Sequence, residues 1–394
     1  MVRAAGDTAP STGENGSARA FRLGARPPLD GVRAIAIVAV MAFHAELSQA
    51  PGGFLGVDVF FVLSGFLITA LLVEERQTTG RLHLGHFYAR RGLRLLPALL
   101  ILLAALGLYA LLDPHHPEVQ TYWRDALSSL FYVQNWVAAA GEFQIRLLAH
   151  TWSLSIEEQF YLLWPLVLLL LLRRRVRPAI TIAVALGGVL ASAAARYLLL
   201  HQEPVHLQRV FNGLDTRGGA LMTGCVLGLL VGWRLLPTGR WFRQAAAVGG
   251  AVGLLALLWA MLGPRYDGAA RILHPGRFYE EGLPLVAVAT GLIILSVVVA
   301  HDGLLARVLA LAPLVWIGRV SYGLYLWHYP IDRIIHPDAH TFGLSGAGLQ
   351  LLRLAATLAV VTLSFYLAER PVLRYKSRFE FRRPTQETAG YVQP

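Results

Sequence analysis

Cysteine is almost missing from this 394-residue chain, and its one thiol, Cys225, lies inside an apolar block. A single thiol excludes an intramolecular disulfide and a cysteine-ligated metal cluster. Charge is also scarce. Only 15% of the residues are charged and 55% are hydrophobic, against roughly 25% charged in soluble domains, which argues against a water-soluble fold. The chain has no internal repeat and no separate polar domain. Its one low-complexity stretch is the opening MVRAAGDTAPSTGENGSARAFRLGA. That stretch holds too little apolar side chain to fold, and it lacks the apolar core of a cleaved signal peptide. Residues 1–27 are therefore expected to form a disordered leader, and the first apolar block an uncleaved signal anchor.

What is present is apolar sequence in long runs, such as LLPALLILLAALGLYALL (95–112) and FYLLWPLVLLLLL (160–172). Runs of this length match the ~30 Å hydrocarbon layer of a bilayer. A helix satisfies its own backbone hydrogen bonds in lipid, so each run reads as a spanning helix. The pattern predicts an all-α polytopic integral membrane protein with about ten spans, near 32–48, 57–73, 95–112, 155–172, 179–199, 217–234, 244–262, 283–300, 313–331 and 347–367. The net charge of +11 comes almost wholly from Arg in the segments between runs. That distribution reads as membrane orientation and not as a nucleic-acid footprint. With both termini cytoplasmic, the inside segments hold about 23 Lys and Arg and the outside ones about 7. On this reading 28–370 is the transmembrane domain and 371–394 a basic cytoplasmic tail. The aromatic stretch 125–137 is expected to be interfacial or re-entrant.

Ionisable side chains inside spans cost roughly 2.5–3.5 kcal/mol at a helix centre, so each is a functional candidate. Arg33 and His44 are eleven residues apart in the first span, close to three turns. They therefore share one face, ~16 Å apart along the axis. An imidazole is suited to proton abstraction near neutral pH, although a buried histidine can equally serve packing. The segment 149–165 gathers Trp152, Ser153, Glu157, Gln159 and Tyr161 ahead of an apolar run. Helix capping explains its serines but not the carboxylate, amide and phenol that follow them into the membrane. Asp58 and Ser64 interrupt the second span, where Gly56 and Gly65 permit close helix approach. Arg90, Arg91 and Arg94 stand at a cytoplasmic helix entrance, either as topology anchors or as a phosphate site suited to the guanidinium fork. Asp215 and Arg217 precede the sixth span and read as an ion pair at a helix end or as substrate contacts. Tyr325 and His328 are i,i+3 neighbours in the ninth span and place a second imidazole at bilayer depth.

Together these segments resemble the acyltransferase-3 family of bacterial membrane O-acyltransferases over most of residues 28–375. The family's Arg-x10-His motif is similar to Arg33 through His44, and its Phe-Phe-x-x-Ser-Gly motif to Phe60, Phe61, Ser64 and Gly65. Its arginine motif resembles Arg90, Arg91 and Arg94. Its Trp-Ser-Leu-x-x-Glu-x-Gln-Phe-Tyr motif resembles Trp152, Ser153, Leu154, Glu157, Gln159, Phe160 and Tyr161. The late pattern appears as Ser321, Tyr322, Gly323, Tyr325, His328 and Pro330, followed by Glu369 to Pro371. The resemblance implies an acyl-CoA donor, commonly acetyl-CoA, no metal, and a carbohydrate or glycosylated acceptor in the cell envelope. Some members continue into an extracytoplasmic hydrolase-like domain. This sequence ends about 27 residues beyond its tenth span, so that activity, where needed, is expected from a separate extracytoplasmic enzyme.

The expected enzyme carries His44 and Glu157 as catalytic residues, and Arg33, Arg90, Arg91 and Arg94 at the donor's phosphates. Asp58, Ser64, Trp152, Ser153, Gln159, Tyr161, Asp215, Arg217, Tyr325 and His328 are expected to contact substrate. Acyl transfer to a small metabolite such as a macrolide sugar is the alternative. A transporter is the rival from another class, weakened by the lack of broken helices in matching halves.

Overall fold

In the computed structural model the chain is described over residue 24 and residues 26–142, 146–202, 206–263, 278–335 and 344–379. Most of the expected leader and the end of the basic tail lie outside the described residues. Every apolar run becomes helix: α1 Pro27–His44, α2 Gly56–Thr79, α3 Leu84–Leu112, α4 Trp152–Arg173, α5 Pro178–Leu200, α6 Leu214–Gly232, α7 Arg240–Leu262, α8 Leu283–Val299, α9 Ala312–Ile334 and α10 Gly346–Ser364. Proline opens α1, α5, α8 and α9, where its missing N–H leaves no helical bond unmade. Gly80 ends α2 with φ +73°, a left-handed cap that glycine adopts without steric cost.

Among the described residues nine segments are long and apolar enough to cross a membrane, and they contain α1–α8 and α10. The chain is a multi-pass membrane protein. Helix α9 falls outside that set because Arg319, Asp332, Arg333 and its buried tyrosines and histidine make it more polar. At 23 residues it nonetheless equals α5 and α7 in length. Helix α3 starts at Leu84, well before the apolar run at 95, so Arg90, Arg91 and Arg94 lie within a helix and not at its entrance.

Neighbour contacts fix the relative direction of the helices. Arg33 meets Ser321 and His44 meets His328, so α1 and α9 run parallel. Asp58 meets Arg217 and Gln77 reaches Gly232, so α2 and α6 are parallel. Ser192 bonds Gly219 while Gly188 abuts Met222, which makes α5 and α6 antiparallel. Strict alternation of ten helices, α9 included, satisfies all of these. The helix Tyr122–Leu130 has nine residues, too few to cross. It buries Tyr122, Asp125 and Ser129 and exposes Trp123 and Leu127, with Phe131 exposed just beyond it, the pattern of a helix lying along the membrane surface.

Small residues let α2 and α6 approach closely. Gly224, Gly228 and Gly232 repeat every fourth residue along α6. A Cβ on Gly224 would overlap the Val62 carbonyl, and one on Gly65 the Leu221 carbonyl. Such contact replaces the hydrophobic driving force that lipid does not supply. Elsewhere the surface is apolar, with Leu108, Leu190 and Leu255 exposed. On α7 the exposed Trp241 and Trp259 lie about 27 Å apart along the axis, at the spacing of the two aromatic belts of a bilayer.

Candidate active site

A cavity of about 650 Å³ opens among α1, α2, α3, α4 and α9. Four guanidiniums line it, those of Arg33, Arg90, Arg91 and Arg94, against one carboxylate, Glu157. Apolar side chains line it too, among them Phe60, Phe61, Leu67 and Ile68, with the Arg33 guanidinium 5.8 Å from the Phe60 ring centroid. Arg33 donates from Nε to Ser321 Oγ at 3.2 Å. Arg91 lies over the Tyr161 ring, 3.9 Å from its centroid. Tyr161 donates its hydroxyl to Glu157 Oε2, and Ser64 donates to Glu157 Oε1, each at 3.0 Å. Both oxygens of Glu157 are thus engaged within the cavity wall, and neither reaches His44. Arg90 is committed elsewhere: its Nη2 pairs with the buried Glu75 at 3.2 Å, and its Nη1 donates to the Phe379 carbonyl. Arg94 makes no hydrogen bond or ion pair among the described residues.

His44 lies off this cavity, in a cluster of three imidazoles. Its Nδ1 is 2.9 Å from Nε2 of His328, and the ring of His150 is 5.9 Å from that of His328. Helix α9 organises the group through Pro330. That proline lacks the N–H that would bond the Leu326 carbonyl four residues back, and His150 Nε2 fills the vacancy at 3.2 Å. Tyr325 and Ser153 stand between cavity and imidazoles. Both line the cavity. Tyr325 donates to the His150 carbonyl at 2.8 Å and lies 2.5 Å from Ser153 Oγ, and its ring is 5.7 Å from that of His328.

The remaining sequence candidates lie apart. Asp58 and Arg217 form a buried ion pair at 3.0 Å, and the Arg217 guanidinium sits 5.0–6.0 Å from the rings of Phe211, Trp152 and Phe61. Asp215 does not pair with Arg217. It pairs with Arg209 at 2.6 Å, on the partly exposed edge of the same helix end. Gln159 faces away from the cavity and binds the Tyr132 carbonyl at 2.7 Å and Asn135 Oδ1 at 2.8 Å, clamping α4 to the surface helix region. Of the candidate set, the cavity collects Arg33, Ser64, Arg90, Arg91, Arg94, Ser153, Glu157, Tyr161 and Tyr325.

Sequence reasoning passed over Glu75, the buried partner of Arg90, and Arg196, which is buried in α5 and bonded to Ser192 Oγ and the Thr216 carbonyl. Arg196 was findable by the rule that a charge inside a span calls for explanation. Glu75 sits where α2 leaves its apolar run, and nothing local marks it as buried.

A family described as an acyltransferase domain matches residues 27–369. The chain is 36% identical over 357 residues to the peptidoglycan O-acetyltransferase OatA of Listeria monocytogenes, covering 88% of this chain and 55% of that protein. It is 33% identical over 358 residues to the O-acetyltransferase OatA of Staphylococcus aureus, covering 88% and 57%. It is 31% identical over 356 residues to the putative peptidoglycan O-acetyltransferase YrhL of Bacillus subtilis, covering 88% and 54%. The chain spans about half the length of the curated relatives it matches. No solved structure matches it.

Proposed function

The chain belongs to the acyltransferase-3 family, and from that premise we propose that it is a membrane O-acyltransferase moving an acetyl group from cytoplasmic acetyl-CoA to a hydroxyl of a cell-envelope glycan. The observation that carries the reading is the charge of the cavity: with Arg90 paired to Glu75, the guanidiniums of Arg33, Arg91 and Arg94 still face one carboxylate, Glu157. A low-dielectric pocket with that surplus calls for a polyanion, and the phosphates of CoA supply one. Arg91 and Arg94 bind those phosphates, while Arg90 is held by Glu75 as part of the frame. Glu157 is a positioning residue: it holds Tyr161, and Tyr161 carries Arg91. The donor enters from the end that holds the starts of α1 and α3, and both termini face the cytoplasm, as the arginine distribution favours.

The acyl thioester then lies toward Ser153 and Tyr325, with His44 beyond them as general base. His44 takes the proton of the acceptor hydroxyl as its oxygen bonds to the thioester carbonyl carbon. The carbon–sulfur bond breaks, and the departing CoA thiolate receives that proton to leave as the thiol. The acceptor is assigned as an envelope glycan hydroxyl because two of the relatives carry peptidoglycan O-acetyltransferase in their names.

The test is mass spectrometry of envelope glycans from a strain lacking the gene, complemented with the wild type or with His44→Gln at matched membrane levels. The acetyl mass should be lost on deletion, restored by the wild type and absent with His44→Gln. Full restoration by His44→Gln would remove His44 from the chemistry. An unchanged glycan acetyl content on deletion would remove the acceptor class.

A further inference from the structure

His44 has two ring nitrogens, and only an unprotonated one can accept a proton from a hydroxyl. The Leu324 carbonyl on α9 bears on which nitrogen carries the lone pair, and it acts through His328. The Leu324 carbonyl can only accept, and it lies 2.9 Å from His328 Nδ1, so His328 carries its proton on Nδ1. A neutral His328 then has its lone pair on Nε2, and that atom lies 2.9 Å from His44 Nδ1. A hydrogen bond between two imidazole nitrogens needs one donor and one acceptor. His44 is therefore the donor, with its proton on Nδ1 and its lone pair on Nε2.

We propose that His328 is the positioning residue of His44: through the chain from the Leu324 carbonyl to His328 to His44, it locks His44 as the tautomer whose Nε2 is free to accept the acceptor's proton. The inference rests on the reading of His44 as the base, and it deepens that reading. No side chain among the described residues bonds His44 Nε2, and the Val40 carbonyl, one turn back on α1, is the backbone acceptor beside the His44 ring. The ring of His328 is 1% exposed and sits within 6 Å of His150 and Tyr325, so packing holds it in place for this task. No acidic side chain makes an ion pair with either His44 or His328 among the described residues, so no carboxylate partner favours an imidazolium in the pair. When His44 takes up the proton, its Nδ1–H still points at a lone pair, so the imidazolium forms without losing its partner. The logic matches the orienting third member of a hydrolase triad, with a neutral imidazole in place of the carboxylate.

The experiment uses the full chain in detergent micelles with ¹⁵N-labelled histidine, the His44 signals being assigned by their loss in His44→Gln. In the wild type, Nδ1 of His44 should carry the proton and Nε2 should show the pyridine-type shift. His328→Gln keeps an acceptor for His44 and should preserve that tautomer. His328→Phe removes the acceptor and should give a mixture of tautomers. CoA thiol release from acetyl-CoA should follow: kcat falls on the order of 10²-fold or more in His328→Phe, with KM for acetyl-CoA unchanged, and recovers in His328→Gln. A wild-type His44 protonated on Nε2, or a His328→Phe protein with the His44 tautomer intact, would overturn the proposal whatever the activity. A wild type with the expected tautomer that shows no acyl transfer would instead count against the proposed function.

Discussion

Arg217 donates from Nη2 to Asp58 Oδ2 at 3.0 Å across the interface of α6 and α2, and both side chains are at most 2% exposed. The Arg217 guanidinium lies 6.0 Å from the ring centroid of Phe61, and Phe61 also lines the cavity. A buried ion pair gives little net stability, but removing one partner strands the other charge at a cost of roughly 3–5 kcal/mol. Asp58→Ala should therefore lower the thermal midpoint and the yield of folded protein. The double change Asp58→Ala with Arg217→Leu should recover most of the loss. A single variant as stable as the wild type, read by fluorescence thermal unfolding in detergent, would show that water or lipid headgroups reach Arg217.

The same interface sets a second expectation. A Cβ on Gly65 or Gly224 meets a backbone carbonyl of the facing helix, and neither backbone can yield without parting the helices. Gly224→Val should cost about 1–3 kcal/mol through overpacking. Gly85→Ala, which has open space around its Cα, should leave the thermal midpoint within experimental error. Equal midpoints for the two variants would mean that α2 and α6 do not approach this closely.

The third expectation separates two kinds of arginine. Arg91 and Arg94 face the cavity without a carboxylate partner of their own, whereas Arg90 is tied to Glu75 and Phe379. A charge-assisted hydrogen bond to phosphate contributes about 1.5–3 kcal/mol, equivalent to roughly 10- to 100-fold in affinity. Arg91→Ala and Arg94→Ala should raise KM for acetyl-CoA by that factor and leave the acceptor KM nearly unchanged. Arg90→Ala should reduce folded protein more than donor affinity. Steady-state kinetics with each substrate varied in turn decides it, and an effect confined to the acceptor would move the donor site elsewhere.

The helices were legible because lipid imposes a local rule: an apolar run of a given length has to be helix. The shared face of Arg33 and His44 was legible for the same reason, since helical periodicity places them on it, and both meet α9. Partners were not legible. Asp215 and Arg217 are close in sequence but at i,i+2 on a helix, where side chains diverge, and each pairs with a residue outside that local pattern. Glu157 stood close to His44 in functional logic, yet its oxygens are taken by Ser64 and Tyr161. The bond from His150 to Leu326 exists because Pro330 lies four residues further on, a relationship visible only once α9 and α4 are side by side.

The last expectation concerns sidedness. The alternation of ten helices puts Arg90, Arg91 and Arg94 at the end that holds the starts of α1 and α3. It puts His44, Asp58 and Asp215 toward the opposite end, since α1 closes and α2 and α6 open there. The proposed orientation, which the arginine distribution favours, puts the first end in the cytoplasm. Donor and acceptor should then approach from opposite faces, with the Ser153–Tyr325 pair as the boundary the acetyl group must pass. In sealed vesicles of known orientation, radiolabelled acetyl-CoA supplied only at the arginine-rich face should label a glycan acceptor confined to the other face, and the label should vanish with His44→Gln. Labelling that requires both substrates on the arginine-rich face would refute the crossing. It would point to a small acceptor that reaches the same cavity as the donor, and His44 would then need a route inward past Tyr325.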